Sequence, residues 1–247
     1  EQIKKENPEF DITKINYKDP KVYNLFAEGR TEGIFQFESS GMKEKLRLLK
    51  PTEFNDIVAM NALYRPGPMA QIETYIRRKH GEEKVNYPHP NLEKILKDTY
   101  GVIVYQEQIM LIAVNFAHMS LNEADNMRRA VSKKKKEDLE YYGRIFIEKS
   151  VAAGYDRNVA KSLFDLIVTF ANYGFNKSHA VVYSMLAYRL AYLKVYYTKY
   201  FMTALLNNVI SSEKKINEYK QELSNLGIKL VKPDVNVSLS DFSVYKQ

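Results

Sequence analysis

The sequence predicts a mainly α fold with minor β, many helices gathered around one long buried helix. Three observations carry that expectation. Apolar residues recur at helical spacing in segment after segment, each closed by Gly or Pro. The stretch 178–197 is apolar around most of a helical wheel, which marks an interior helix. Only 34–38, 101–105 and 228–233 look extended.

In chain order, Asp19-Pro20 opens a short helix carrying Val22, Leu25 and Phe26, which Gly29 or Gly33 ends. Residues 34–38, Ile-Phe-Gln-Phe-Glu, alternate as a brief strand or form a packed turn. Helices follow over 41–49, stopped by Pro51, and over 55–63, stopped by Arg65-Pro66-Gly67-Pro68. A third covers 70–79, with Gly81 just past it. Tyr87-Pro88-His89-Pro90 is a loop before a short helix over 91–96. Gly101 to Tyr105 is the best strand candidate, and a helix over 107–116 follows at once. Ser120-Leu121-Asn122-Glu123 is a capping box. Ser132 and four Lys interrupt the helix that it starts. Residues 137–153 are helical, with Gly154 as the C′ residue. Asp156 caps a helix whose Val159, Leu163, Leu166, Ile167 and Phe170 keep the 3.6-residue period. Tyr173 to Asn176 is a turn, and helices over 178–197, 201–208 and 213–226 complete the set before a strand start at 228–233.

The 247 residues suit one large domain or two small ones. With 45% hydrophobic and 27% charged residues, the chain is neither collagen-like, mucin-like nor wholly disordered. No apolar run approaches the roughly 20 residues that span a bilayer, and the first residues lack the apolar core of a signal peptide. The absence of Cys excludes disulfides, thiolate metal sites and thiol nucleophiles, and is compatible with a reducing cytoplasm. Lys and Arg number 37 against 30 Asp and Glu, a formal +7, which serves solubility or an anionic partner.

Candidate anion-binding residues fall in a few places. On a wheel of about 100° per residue, Leu121, Ala124, Met127 and Val131 share one arc, and Arg128 lies inside it. A guanidinium there must snorkel, pair or face a ligand. Arg129 lies on the polar side four residues after Asp125, as an exposed ion pair or a ligand contact. Lys133, Lys134, Lys135 and Lys136 form either a solvated loop or a track for phosphates. Asn176 or Ser178 caps the long helix, whose first turn places Lys177 and His179 against the helix dipole. That placement is unfavourable unless an anion sits at the free N–H groups. Tyr105, Gln106 and Gln108 offer hydrogen bonds to a base or sugar, or simply start a helix. Arg65 heads a rigid turn. There is no Walker A loop, Gly-x-Gly-x-x-Gly, His-Glu-x-x-His or Asp-x-Asp, so the carboxylate pair of two-metal phosphoryl chemistry is missing.

Six ordered segments carry a resemblance. They are Thr-Glu-Gly-Ile-Phe-Gln-Phe-Glu-Ser-Ser-Gly-Met (31–42), Ala-Leu-Tyr-Arg-Pro-Gly-Pro-Met (62–69) and Arg-Arg-Lys-His-Gly (77–81). The others are Tyr-Gly-Val-Ile-Val-Tyr-Gln-Glu-Gln-Ile-Met (100–110), Ala-Asp-Asn-Met-Arg-Arg-Ala-Val-Ser-Lys-Lys-Lys (124–135) and Phe-Ala-Asn-Tyr-Gly-Phe-Asn-Lys-Ser-His-Ala (170–180). Together they are similar to the alpha-subunit family of bacterial DNA polymerase III, the C-family replicative polymerases. The resemblance runs from about Tyr17 to Asn236. Val131-Ser132 stands where the family often has Met-Gly, and Thr198 where it has Pro.

The resemblance implies a fingers-domain fragment: 1–33 leading from the palm, 34–227 the fingers, and 228–247 the start of the next segment. It implies a DNA-directed DNA polymerase, a nucleotidyltransferase of DNA replication, whose two Mg²⁺ are held by palm aspartates outside this chain. The fragment is then inactive alone and contributes no catalytic or metal-binding residue. Arg128, Arg129, Lys177, His179, Tyr105, Gln106 and Gln108 become the nucleotide-binding candidates, and Arg65 and Lys133 to Lys136 the DNA-binding ones. The implied partners are dNTP, template-primer DNA, the palm and thumb, and, through regions outside this chain, the sliding clamp and clamp loader. The implied location is cytoplasmic, with no membrane contact. A lesion-tolerant paralogue of the family, or a stand-alone basic helical module, is the alternative. The nucleotide reading requires the cations of 128–136 and 177–179 to converge on one groove and not to be tied up by internal carboxylates.

Overall fold

A computed structural model describes residues 1–133, 135–171 and 173–244. Among them are thirteen α-helices, and the only β element is one isolated parallel bridge between Tyr105 and Phe175. In order the helices are α1 (Gln2–Glu6), α2 (Pro20–Ala27), α3 (Ser40–Leu49), α4 (Phe54–Leu63), α5 (Ala70–Lys79) and α6 (Glu93–Leu96). They continue as α7 (Gln106–Ala117), α8 (Leu121–Lys133), α9 (Lys136–Ala152) and α10 (Arg157–Ala171). The last three are α11 (Lys177–Tyr196), α12 (Thr198–Asn208) and α13 (Glu213–Asn225).

The fold is mainly α, and its β content shrinks to the single bridge. Residues 34–38 form the packed turn, not a strand. Residues 101–104 and 228–233 are irregular, so both strand readings are corrected. The reason is chemical in the first case: the amides of 104 and 105 are taken by the Gln108 side chain, so no ladder forms. In the second, most of 228–233 is exposed and pairs with nothing regular.

Two compact units divide the chain, Glu1–Phe54 with Tyr183–Gln247, and Asn55–Val182. The chain passes from one to the other inside α4 and again inside α11. In the first unit, Lys194 of α11 is buried. Its Nζ donates to the carbonyls of Arg30 at 2.9 Å and Glu32 at 3.0 Å and pairs with Glu222 of α13 at 2.6 Å. Burial pushes the Lys194 pKa down, against the pull of Glu222. Tyr188 packs among Tyr17, Tyr23 and Phe54, its hydroxyl donating to Asn16 O at 2.9 Å.

The second unit is built on α7 to α10. Ile109, Ile112 and Phe116 of α7 meet Met127 and Val131 of α8, Phe146 of α9 and Leu163 and Ile167 of α10, all buried. Each such side chain contributes roughly 1.5–3 kcal/mol on leaving water, far more than a surface ion pair at about 0–1 kcal/mol. The apolar stripe therefore decides how α8 lies. Gly143 permits close approach: a Cβ there would meet Phe164 Cε1 at 2.8 Å. Asp56 of α4, fully buried, pairs with Lys79 of α5 at 2.8 Å and accepts from Tyr75 Oη at 3.3 Å.

The long helix α11 is buried along one stripe, Ala180, Ser184, Ala187, Tyr188, Ala191 and Lys194, rather than all round. Val182 and Leu186 lie exposed.

The capping box at α8 forms as its residues dictate. Ser120 N donates to Glu123 Oε2 at 2.7 Å, and Glu123 N to Ser120 Oγ at 3.2 Å. Lys149 of α9 then donates to both Glu123 oxygens, at 2.8 and 2.9 Å. The Lys149 hydrogen bonds, then the Ser120 amide, lower the Glu123 pKa from 4.5 to about 2. A depressed folded-state pKa stabilises above the unfolded value and is lost as pH falls through the folded one, here from 4.5 toward 2. In Lys149→Met the Glu123 midpoint, read by carboxyl NMR, should climb toward 4.5 yet stay below it, since the Ser120 amide remains. A midpoint unmoved would show that Lys149 is not the cause.

Candidate functional site

The site begins with Gln108, which fixes how α7 starts. Its Oε1 accepts from the Val104 and Tyr105 amides at 2.8 and 3.0 Å. Its Nε2 donates to Thr99 Oγ1 at 2.8 Å and Ile95 O at 3.3 Å. The side chain is buried, and its four hydrogen-bonding positions are all engaged. Gln108 thus faces the interior and splints the 104–105 backbone instead of offering its amide outward.

The outer edge of the same segment meets the 173–176 turn. Phe175 N donates to Val104 O at 3.0 Å, and Gln106 N donates to Phe175 O at 3.0 Å. Gly174 makes this docking possible, because a Cβ there would lie 3.2 Å from Gln106 Cγ. The first residues of α7 and α11 are thereby set side by side.

Asn176 is the N-cap of α11, its Oδ1 accepting from His179 N at 2.8 Å. The carboxylate of Glu107 accepts from Lys177 N at 3.1 and 3.0 Å. The anion that the cationic first turn calls for is therefore internal. Lys177 turns its ammonium over the Tyr105 ring, 5.4 Å from the centroid. His179 lies edge-on to Phe175, with centroids 5.3 Å apart. Burial above all, with Glu107 second, drives the Tyr105 phenol well above its ordinary pKa, so it stays neutral.

Arg128 pairs rather than snorkels. Its Nε and Nη2 donate to Asp125 Oδ1 at 3.0 and 2.7 Å, and its Nη1 to Gln106 Oε1 at 3.2 Å. Arg129 reaches the other oxygen of the same carboxylate, Nη2 to Oδ2 at 2.7 Å. The side chain of Arg128 is 19% exposed and that of Arg129 63%. One carboxylate thus serves two guanidinium groups, and Arg128 first, Arg129 after it, holds the Asp125 pKa below the ordinary value.

Tyr105, Gln106, Arg128, Lys177 and His179 are therefore joined in one connected set, with Arg129 attached through Asp125; the first half of the requirement is met, but Asp125 engages both arginines and Glu107 the Lys177 amide, so internal carboxylates already occupy the two clusters. Lys133 and Lys135 are exposed where α8 gives way to α9. Lys136 is exposed beside Glu140, at 3.9 Å. Lys134 lies outside the described residues. Arg65 turns its guanidinium onto its own unit: Nε donates to Ala62 O at 2.9 Å, Nη2 to Tyr173 O, and the group sits 4.7 Å from the Phe175 ring centroid. Sequence reasoning passed over Asp125 as a shared partner, Glu107 as the α11 counter-anion, and Phe175. The signal for Asp125 was its spacing of three and four residues from the two arginines. Among the described residues no group of three or more His, Asp or Glu could hold a metal ion.

Comparison with known proteins adds an independent line. Residues 1–154 match a family model described as the bacterial DNA polymerase III alpha subunit finger domain. The chain is 54% identical over 241 residues to the DNA polymerase III subunit alpha of Bacillus subtilis strain 168, covering 98% of this chain and 22% of that protein. It is 51% identical over 238 residues to the DNA polymerase III subunit alpha of Staphylococcus aureus strain N315, covering 96% and 22%. The chain thus spans about a fifth of the length of these relatives.

The shared carboxylate yields a direct test. In Arg128→Ala the Asp125 midpoint should rise toward 3.8, because the largest cause of its depression is gone, while Arg129 keeps it below that value. Carboxyl NMR reads the shift. A midpoint that stays put would show that Arg129 alone holds the charge.

Proposed function

Because this chain belongs to the finger-domain family of bacterial DNA polymerase III alpha subunits, we propose that its Arg128–Lys177 surface receives the triphosphate of an incoming dNTP. The parent is then a DNA-directed DNA polymerase of replication. It joins a nucleotide to a primer 3′-OH and releases pyrophosphate. Residues 34–227 form its fingers, 1–33 lead from the palm, and 228–247 begin the next segment. The Mg²⁺ ions belong to residues outside this chain, and so do the contacts to clamp and clamp loader. Palm and thumb of the same polypeptide are the immediate neighbours, and the setting is the cytoplasm.

One observation carries the reading: Arg128 and the start of α11 meet at Gln106 and Glu107, so cations from two helices share one small area. Two guanidinium groups share the charge of Asp125, which leaves positive charge unneutralised. A triphosphate carries more negative charge and more acceptor oxygens than the single Asp125 carboxylate, so it competes with Asp125 for both arginines. Arg128, anchored by Gln106, orients the chain of phosphates, and Arg129 neutralises charge that develops on the leaving pyrophosphate. His179 borders the base side of the same area. Lys133 to Lys136 follow the backbone of template-primer DNA.

In the full-length polymerase, Arg128→Ala should raise KM for dNTP about tenfold or more, as expected when one charge-assisted hydrogen bond is removed. The Kd for primer–template should move less than about twofold. Unaltered KM and kcat would remove Arg128 from the site. Replacing Lys133 and Lys135 together by Ala should flatten the plot of log K for DNA against log salt by about 0.9 for each phosphate no longer neutralised. An identical slope would return these lysines to solvent.

A further inference from the structure

The turn Arg65-Pro66-Gly67-Pro68 and the turn 173–175 are built against each other. Arg65 donates to two carbonyls, Ala62 O on its own helix and Tyr173 O on the other turn. Its guanidinium carbon also sits over the Phe175 ring, 4.7 Å from the centroid. Gly67, at φ +99°, lies so close to Tyr173 that a Cβ would stand 2.3 Å from the ring's Cε1. Beyond the turn, Phe175 carries the backbone hydrogen bonds to Val104 and Gln106 and meets His179 on its ring. Gln106 in turn holds Arg128.

From this chain of contacts we infer that Arg65 is a positioning residue for the nucleotide site: it clamps the 173–175 turn so that Gln106, Lys177 and His179 are presented in register. The inference rests on the nucleotide reading above and assigns Arg65 an internal duty in place of a DNA contact. Lys cannot substitute for it. A flexible ammonium lacks the planar fork that bonds two carbonyls while sitting over a ring. A phosphate contact, by contrast, tolerates Lys as a point charge.

The test compares Arg65→Lys, Arg65→Ala and Gly67→Ala with the wild type in the full-length polymerase. Gly67→Ala reaches the same turn without touching a charge. Three quantities are read: KM and kcat for dNTP, the salt slope of primer–template binding, and amide hydrogen exchange of peptides holding Gln106, Phe175 and Lys177. Arg65→Lys and Gly67→Ala should each speed exchange of those amides about tenfold and raise KM for dNTP about fivefold. The salt slope should not change in any of the three. If exchange is unaltered in Arg65→Lys, the clamp does not exist and the inference is overturned. It is equally overturned if Arg65→Lys restores wild-type KM while Arg65→Ala lowers the salt slope by about 0.9, the mark of a phosphate contact. The same assay on Arg128→Ala separates the two levels. If that variant raises KM and Arg65→Lys does not, the positioning role alone fails. If neither does, the nucleotide reading fails and takes this role with it.

Discussion

Two backbone hydrogen bonds organise the junction of α7 and α11: Phe175 N to Val104 O, and Gln106 N to Phe175 O. Val104 and Tyr105 are buried, and buried N–H and C=O groups need partners. A sheet normally supplies them. Here the Gln108 side chain takes the two amides, Phe175 N donates to the Val104 carbonyl, and Gln108 N donates to the Tyr105 carbonyl. The consequence is geometric. Two helices must begin at the same point, and each N-terminus carries about half a positive charge. Everything cationic nearby is arranged around that fixed field.

The molecule sorts its ion pairs by burial. Asp56–Lys79 and Lys194–Glu222 are nearly sealed from solvent. Removing one partner from such a pair costs about 3–5 kcal/mol, so these pairs belong to the architecture. The pairs around Asp125 are partly open to solvent. Their disruption costs little, and the carboxylate that makes them is held on the same helix as the arginines. Asp125 keeps two like charges side by side without binding them permanently. Glu107 differs again: it accepts from the Lys177 backbone amide, while the ammonium of that lysine rests on the Tyr105 ring. The arginines and Lys177 are thus each held by contacts from their own unit.

Much of this fold was legible in the residues. Pro20 at the start of α2, the Ser120–Glu123 box at α8 and Asp156 before α10 all behave as local chemistry requires. The 3.6-residue period located the core faces of α7 to α10. The strand expected at 101–105 failed because a short apolar run has no period long enough to tell a strand from a buried connector. What decided it was a side chain, Gln108, three residues past the segment. The burial of α11 was overstated because apolar character alone does not say which face has a neighbour. In the site, the residue types and the local Asp125–Arg129 pair were readable, and the long-range pairings were not. Arg128 stood out as a misfit on an apolar arc, but its link to Gln106 spans 22 positions. Lys177 against a helix dipole signalled a missing anion, and nothing local pointed to Glu107, 70 residues away.

The division of labour between rigid and mobile groups follows from these contacts. The elements that fix position are short and stiff: backbone amides, a buried side-chain amide, and two glycines, 67 and 174, at which even a methyl group would be tight. The elements that carry charge are long side chains on those supports. A positioned charge stabilises a developing one only if it need not reorganise when the reaction occurs. Long cationic side chains meet that condition poorly when free. Here Arg128 is tethered at one end by Asp125 and at the other by Gln106, while Lys177 is steered by an aromatic ring. The stiff frame sets where the charged side chains start, and Asp125 joins the two arginines on α8. Preorganisation in this unit is therefore a property of the junction between α7 and α11, and the cations inherit it.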